Sequence, residues 1–455
     1  MLPAPRIDLT AADLFGNDAA EDEEEDIFLG YVVDRPELKA FLNPLNKICI
    51  ARAFKGEGKS ALLRLVQNRL GRGDDPPLIL AATGKQLSPE QTAGDTDAWV
   101  RDWKRSILQH IARELGARLG TAWSDDAISL VEEAEQAGFK SRNFISAVFD
   151  RLKSPSVPIA RERAPIANAE KLVQRWAART DGIWLFVDDV DENFKNDPGH
   201  KLKVASFFIA AREMVNAIPQ LRVRAAVRPN TWTTLVLEYE ALSKVEQYNV
   251  DLRWTEPELR DVLGARVRGY LVRTSQWEEV ASGRAPSADD LIAMVFQSPV
   301  EWGRKTRPVH VPLVTLSRRR PRWLIELARE AAKAAHAAHR NVVNLADITA
   351  CLESFGKKRI ADTVAEFSSQ CPQINELIAA FSRQAEEYST AELVSTIERR
   401  VLQALTPSIV GVMGAPRPVE VAAFLFQIGF LSARRKGLRA DYGSGNSTLD
   451  RRSAT

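Results

Sequence analysis

Residues Ala53-Phe54-Lys55-Gly56-Glu57-Gly58-Lys59-Ser60 restrict the fold of this chain more than any other stretch. Before them lies an apolar run, Asn46 to Ala53, that reads as a short buried strand. After them Ser60 to Leu70 has helical spacing, closed by Gly71 and Gly73. A strand that turns sharply into a helix needs residues free of side-chain constraint, and Gly56 and Gly58 supply them. The turn bares backbone N–H groups at the positive end of a helix dipole, which suits an anion. The spacing is that of a Walker A loop, with Ala53 at the first glycine position. In that chemistry Ala53 through Ser60 wrap a polyphosphate, Lys59 reaches its β- and γ-phosphates, and the Ser60 hydroxyl ligates Mg²⁺.

A second signal lies downstream. Ile183 to Val187 is an apolar strand that ends in Asp188 and Asp189, a Walker B pattern. Asp188 is the candidate to hold the metal through water. Asp189 is placed to orient or deprotonate an attacking water, and Glu192, close behind, is the rival base. Leu221 to Val227 reads as the next strand and ends at Arg228. Ligands of open parallel sheets bind at the carboxyl ends of strands, so Arg228 is a candidate sensor of a γ-phosphate. Further on, Arg318, Arg319, Arg320 and Arg322 crowd the start of a helix, where positive charge opposes the dipole. That placement favours a nearby anion and makes Arg320 and Arg322 candidate nucleotide contacts.

Apolar runs alternate with helical patterns from residue 46. Pro77 to Thr83, Gly182 to Asp188, Leu221 to Val227 and Gln247 to Leu252 read as further strands, with a helix over Lys201 to Ala217. Strands apolar on both faces and separated by helices indicate an α/β fold with a parallel sheet. A helical insertion, about 97–165, interrupts the core. It begins with a helix from Ala98 to Leu119, continues with helices near 125–137 and 142–153, and ends in a proline-rich loop over 154–165. The expected organisation is an acidic N-terminal segment (1–45), a P-loop core (46–254), a helical lid (255–365), a small C-terminal domain (366–442) and a disordered tail (443–455). Helices are expected over Thr255 to Val272, Pro321 to His339 and Pro418 to Ile428, the last followed by a hairpin from Phe430 to Tyr442.

Walker A, the Asp188-Asp189-Val190-Asp191-Glu192 strand end and Val227-Arg228-Pro229 together resemble the STAND-type P-loop ATPases, relatives of the AAA+ class. The chain also resembles a group of bacterial P-loop ATPases with an N-terminal Phe-Gly and acidic motif, here Phe15-Gly16 and Ala20-Glu21-Asp22-Glu23. Arg320-Pro321-Arg322 matches that group's basic helix start, and Phe424 to Leu431 matches its C-terminal segment. The resemblance implies ATP and Mg²⁺ as ligands, a sheet of order 5-1-4-3-2, a helical lid and a winged-helix-like C-terminal domain. It also implies ATP hydrolysis coupled to a conformational or oligomeric switch, with a homo-oligomer or an effector protein as partner, and anti-phage defence by analogy. The Walker B end departs from the group's common pattern, because Asp189 stands where glycine is frequent.

Composition removes some alternatives. A formal net charge of +2 gives no whole-chain field toward nucleic acid or membrane. Charge is uneven, however: residues 1–46 carry eleven acidic and three basic side chains, concentrated in Glu21 to Asp26, which reads as a solvated segment or an exposed helix start. Cys49, Cys351 and Cys371 are far apart and show no metal or disulfide spacing, which fits a cytoplasmic protein. No run of 18 apolar residues and no leader pattern is visible, so no membrane partner is expected. Arg434, Arg435, Lys436 and Arg439 leave DNA open as a partner. The alternative function is therefore a nucleotide-dependent DNA-binding ATPase that uses a C-terminal winged helix.

Overall fold

The computed structural model describes residues 6–73, 76–89, 94–118, 173–174, 182–281, 285–303, 305–385 and 387–432. Contacts divide the chain into two compact units. One is made of Arg35–Phe54 and Lys59–Leu252; the other runs from the N-terminus to Asp34, takes in Lys55–Gly58, and resumes at Arg253.

The first unit is built on five strands: β1 (Ile48–Arg52), β2 (Leu78–Thr83), β3 (Ile183–Asp188), β4 (Leu221–Val227) and β5 (Asn249–Asp251). All pair in parallel, in the order β2-β3-β4-β1-β5. Read from the other edge this is 5-1-4-3-2, the order of a P-loop nucleoside triphosphatase sheet. Strands β1, β3 and β4 are buried on both faces, whereas β2 and β5, at the edges, are partly exposed. Ile183 to Val187 and Ile48 to Ala51 are buried without interruption.

Four helices of this unit matter for the site or its support. Helix α1 (Pro36–Leu42) precedes β1, and α2 (Lys59–Gly71) follows it. Helix α3 (Thr96–Arg118) packs on α4 (Pro198–Ala217) through Trp103 and Phe207, whose rings meet edge-on at 5.2 Å. Asp197 caps α4, with Pro198 at its first turn.

The helices expected at 125–137 and 142–153, the loop 154–165, the hairpin 430–442 and the tail lie wholly or mostly outside the described residues. The expected fifth strand, Gln247 to Leu252, is shorter, because Glu246–Tyr248 forms a 3-10 turn.

Strand β4 hides a charge. Arg224 is fully buried, and its guanidinium donates to the Phe41 carbonyl at 2.7 Å and the Asn43 carbonyl at 3.0 Å. It lies 4.4 Å from the Trp184 ring centroid. Burial pushes its pKa down to about 10, so it stays ionised at neutral pH. The carbonyls that end α1 are the partners its charge needs.

The second unit is mainly helical. Helix α5 (Glu256–Arg273) opens with a capping box of Thr255 and Glu258, and α6 (Ala288–Val295) with one of Ser287 and Asp290. Helix α7 (Pro321–Ala337) packs on α8 (Leu345–Phe367), and α9 (Pro418–Gln427) lies further along the chain. The expected division at 365/366 falls inside α8. An antiparallel pair, Val300–Trp302 with Lys305–Arg307, was not foreseen from the sequence. No helix among the described residues is long and apolar enough to cross a membrane.

The acidic run Glu21 to Asp26 is mostly exposed, as the sequence suggests, but the N-terminal residues around it are not simply solvated. Leu9, Leu14 and Phe15 belong to the core of the helical unit, and Phe28 and Tyr31 are buried too. Glu21, Asp22 and Glu24 to Asp26 are exposed, and Glu25 and Asp26 start a short helix, Glu25–Gly30, at its dipole-favoured end. Glu23 is different: it is buried and accepts the Asn17 N–H at 2.6 Å and the Tyr31 hydroxyl at 3.3 Å. Arg266 donates to the carbonyls of Phe15 and Asn17 and lies 3.8 Å from the Tyr31 ring centroid. Arg329 donates to Asp18 at 2.9 Å and to the Gly16 carbonyl at 2.5 Å. The segment folds around buried Arg266 and half-buried Arg329.

Gly16 has φ of +62°, and a Cβ there would lie 2.5 Å from Glu23 Oε2. Gly16→Ala is expected to destabilise the fold by about 1–2 kcal/mol through its left-handed backbone alone. Gly30→Ala, where a Cβ meets open space, is the control and should cause no loss. Urea unfolding of both variants checks this; equal midpoints would contradict it.

Candidate phosphate-binding site

In the sheet unit the site begins where β1 ends. The Ala53 N–H still reaches the Val227 carbonyl at 3.4 Å, so the chain leaves the sheet beside the end of β4. Lys59 opens α2 and is buried, its ammonium donating to the Ala53 carbonyl at 2.8 Å and the Phe54 carbonyl at 3.4 Å. Ser60, the next residue, is half-buried.

The register sets Arg52 opposite Val227 and Val187 opposite Ala225, so β1, β4 and β3 end near one level. Asp188, Asp189 and Arg228 therefore stand at the same edge. Asp188 accepts the Asp189 N–H at 2.8 Å, and Asp189 is held at φ of +49°. Gly84 permits this turn to lie close to the end of β2, because a Cβ there would stand 2.5 Å from Val190 Cα.

Burial raises the Asp189 carboxyl above its ordinary range, and the Asp188 charge adds to that; Lys59 opposes it, Asp191 raises it further and Arg228 opposes. Four of the charges around Asp189 are thus residues at these strand ends. Glu192, the rival base, is exposed.

Sequence reasoning passed over Asp191. It is fully buried and accepts both the Arg228 N–H at 3.1 Å and the Thr231 hydroxyl at 2.7 Å. Asp191 thereby ties the turn after β3 to the end of β4, where Arg228 precedes the helix Pro229–Val236. One acid among four in the five residues Asp188 to Glu192 gave no sign of which one turns inward.

Residues Lys55–Gly58 of the same loop group with the helical unit. Gly56 and Gly58 have φ of +81° and +93°, the left-handed backbone that motivates glycine there. A Cβ on Gly56 would also stand 3.0 Å from the Arg322 Cβ. The arginines at the start of α7 find partners within the chain. Arg320 is buried and pairs with Glu366 at 2.9 Å, and Arg322 reaches the Asp18 carbonyl at 3.3 Å and Glu21 at 3.5 Å. The acceptors these arginines meet are two carboxylates and a backbone carbonyl of the chain itself.

No protein-family model and no curated protein matches the sequence. Among solved structures, the Walker-type ATPase paby2304 of Pyrococcus abyssi is similar over 90% of this chain and 99% of its own, at 13% identity and a TM-score of 0.32. The ADP form of the Aeropyrum pernix ORC2 protein is similar over 93% of this chain and 91% of its own, at 12% identity and a TM-score of 0.37. Drosophila ORC bound to DNA follows at 12% identity and 0.34, over 87% of this chain and 85% of its own. Similarity at that level carries no argument about activity. The fold class rests on the strand order and on the loop between β1 and α2.

The raised carboxyl of Asp189 makes a testable statement about stability. A carboxyl with a raised folded pKa holds its proton longer in the folded state than in the unfolded one. Its contribution therefore favours folding at low pH and is lost as pH rises from the ordinary 3.8 through the raised value. Asp189→Asn removes that loss, and asparagine tolerates the left-handed backbone. The variant should melt above wild type at neutral pH, with the gap closing as pH approaches 3.8. A gap that does not change with pH would contradict this.

Proposed function

We propose that the chain is a P-loop ATPase of the STAND/AAA+ type that binds ATP with Mg²⁺ in the loop Ala53–Ser60. The observation that carries the reading is that Asp188, Asp189 and Arg228 stand at the carboxyl ends of adjacent strands, at the edge where the loop after β1 leads into buried Lys59. Lys59 is buried with its ammonium on loop carbonyls, and these bonds are exchangeable for phosphate oxygens of higher charge. The loop N–H groups and the start of α2 add further donors. Ser60 and Asp188 form an oxygen donor set of the kind Mg²⁺ prefers. Bound there, the ion neutralises charge on the transferring phosphoryl group.

The protein's own part in hydrolysis follows from placement. Asp189, with its raised carboxyl, is the preferred base over exposed Glu192: it accepts a proton from the attacking water near neutral pH more readily than an ordinary carboxylate. Arg228 faces the γ-phosphate from the end of β4, and Asp191 holds its backbone. Arg320 and Arg322 serve as lid sensors in this reading only by giving up their carboxylate partners. Differential contact with ATP and ADP then shifts the lid, the switch of such proteins. The alternative, a DNA-binding ATPase, draws on Arg434, Arg435, Lys436 and Arg439, which lie outside the described residues.

Wild type should gain about 2.7 kcal/mol of stability at a hundredfold excess of ATP–Mg²⁺ over its Kd, by mass action. Lys59→Ala should gain none, and Asp188→Ala should lose Mg²⁺-dependent turnover. Asp189→Asn should bind ATP yet turn it over about 10²- to 10⁴-fold more slowly, while Glu192→Gln stays active. Thermal melts and phosphate release measure these; a wild type that melts unchanged in ATP would end the proposal.

A further inference from the structure

The middle of the loop is held by Glu366 and Trp254, which the proposed chemistry does not use, together with Arg320 and Arg322. The Lys55 N–H donates to Glu366 Oε1 at 2.7 Å, and the Lys55 carbonyl accepts from Arg320 at 3.2 Å. The Gly56 carbonyl accepts the Arg322 N–H at 3.2 Å, and the Glu57 carbonyl accepts the Trp254 indole N–H at 2.7 Å. Glu366 sits in the last turn of α8 with its side chain only 2% exposed, and its Oε2 pairs with Arg320 at 2.9 Å. One turn earlier, Asp362 comes within 4.0 Å of the Lys55 ammonium.

A buried carboxylate, paired with a guanidinium on one oxygen and accepting a backbone N–H on the other, is a fixed acceptor. A glycine-rich loop has most to gain from one. Gly56 and Gly58 carry the largest conformational freedom of any residue type, and ordering them on binding would subtract from affinity.

We propose that Glu366 is a positioning residue of the phosphate loop: by holding the Lys55 N–H it keeps Lys55–Gly58 in the cradle conformation before polyphosphate arrives. The proposal rests on the nucleotide-binding reading above. It makes α8, more than three hundred residues from Lys55 in sequence, a determinant of nucleotide affinity.

Removing Glu366 alone leaves the Arg320 charge buried without its carboxylate and endangers the fold. Two double variants avoid this. Arg320→Met with Glu366→Gln removes both charges and keeps an acceptor for the Lys55 N–H. Arg320→Met with Glu366→Met removes the acceptor as well. Titration with a fluorescent ATP analogue compares them, and peptide-resolved hydrogen exchange without nucleotide reads the loop directly. The variant lacking the acceptor should bind about tenfold more weakly than the one retaining it. Its exchange should be faster over residues 53–58 and unchanged over the sheet strands. Equal affinities for the two, with wild type binding, would overturn the positioning role, as would equal exchange over the loop. If wild type itself does not bind the analogue, the nucleotide reading falls, and this proposal with it.

Discussion

Strand β1 is hydrogen-bonded on both sides, by β4 and β5, and buried on both faces by helices. That confinement dictates where chemistry can occur. A strand with no free edge and no free face presents its functional groups only at its ends. At the carboxyl end of β1 the chain must turn, and its neighbours β4 and, beyond it, β3 end at the same level. Lys59, Asp188, Asp189 and Arg228 are gathered by this register and not by their own attraction, since two of them repel. The raised carboxyl of Asp189 is the mark of that enforced gathering. Groups that would separate in solution are held together where reactivity can use them.

Both units use arginine in the same way. Arg224 ends a helix's carbonyls inside the sheet unit, Arg266 fastens the N-terminal segment through carbonyls, and Arg320 meets a buried carboxylate. Guanidinium suits these places because it remains charged when buried and offers several donors in a fixed plane. Each buried arginine is also a point of fragility. A charge that loses its partner inside a protein costs far more than the pair contributes. These contacts therefore specify arrangement more than they add stability.

The sheet was legible in the sequence because its central strands β1, β3 and β4 are buried on both faces and read as apolar runs. Their ends are marked by residues of strong chemical character: the glycines and Lys59 after β1, two aspartates after β3, Arg228 after β4. What the sequence could not show were partnerships across long separations. Glu366 is one of many helical glutamates until Arg320 and the Lys55 N–H are brought to it. Asp191 is one acid among neighbours, and only its fully buried position at the start of the helix after β4 distinguishes it from exposed Glu192. Composition told only part of the story at the N-terminus. The acidic run Glu21 to Asp26 is solvated apart from Glu23, which is internal, and Leu14 and Phe15 nearby belong to a core. Arg320 and Arg322 were read as needing an anion, correctly in physical terms, but the anions they meet are this chain's own.

The central claim is that the loop recognises a polyphosphate through Lys59 and its backbone donors. Isothermal titration of the wild-type chain with ATP in the presence of Mg²⁺ tests it most directly, run with and without saturating inorganic tripolyphosphate. The account predicts one saturable site per chain, and loss of the ATP heat when tripolyphosphate fills the loop first. No saturable heat at millimolar ATP, or ATP binding indifferent to tripolyphosphate, would contradict it.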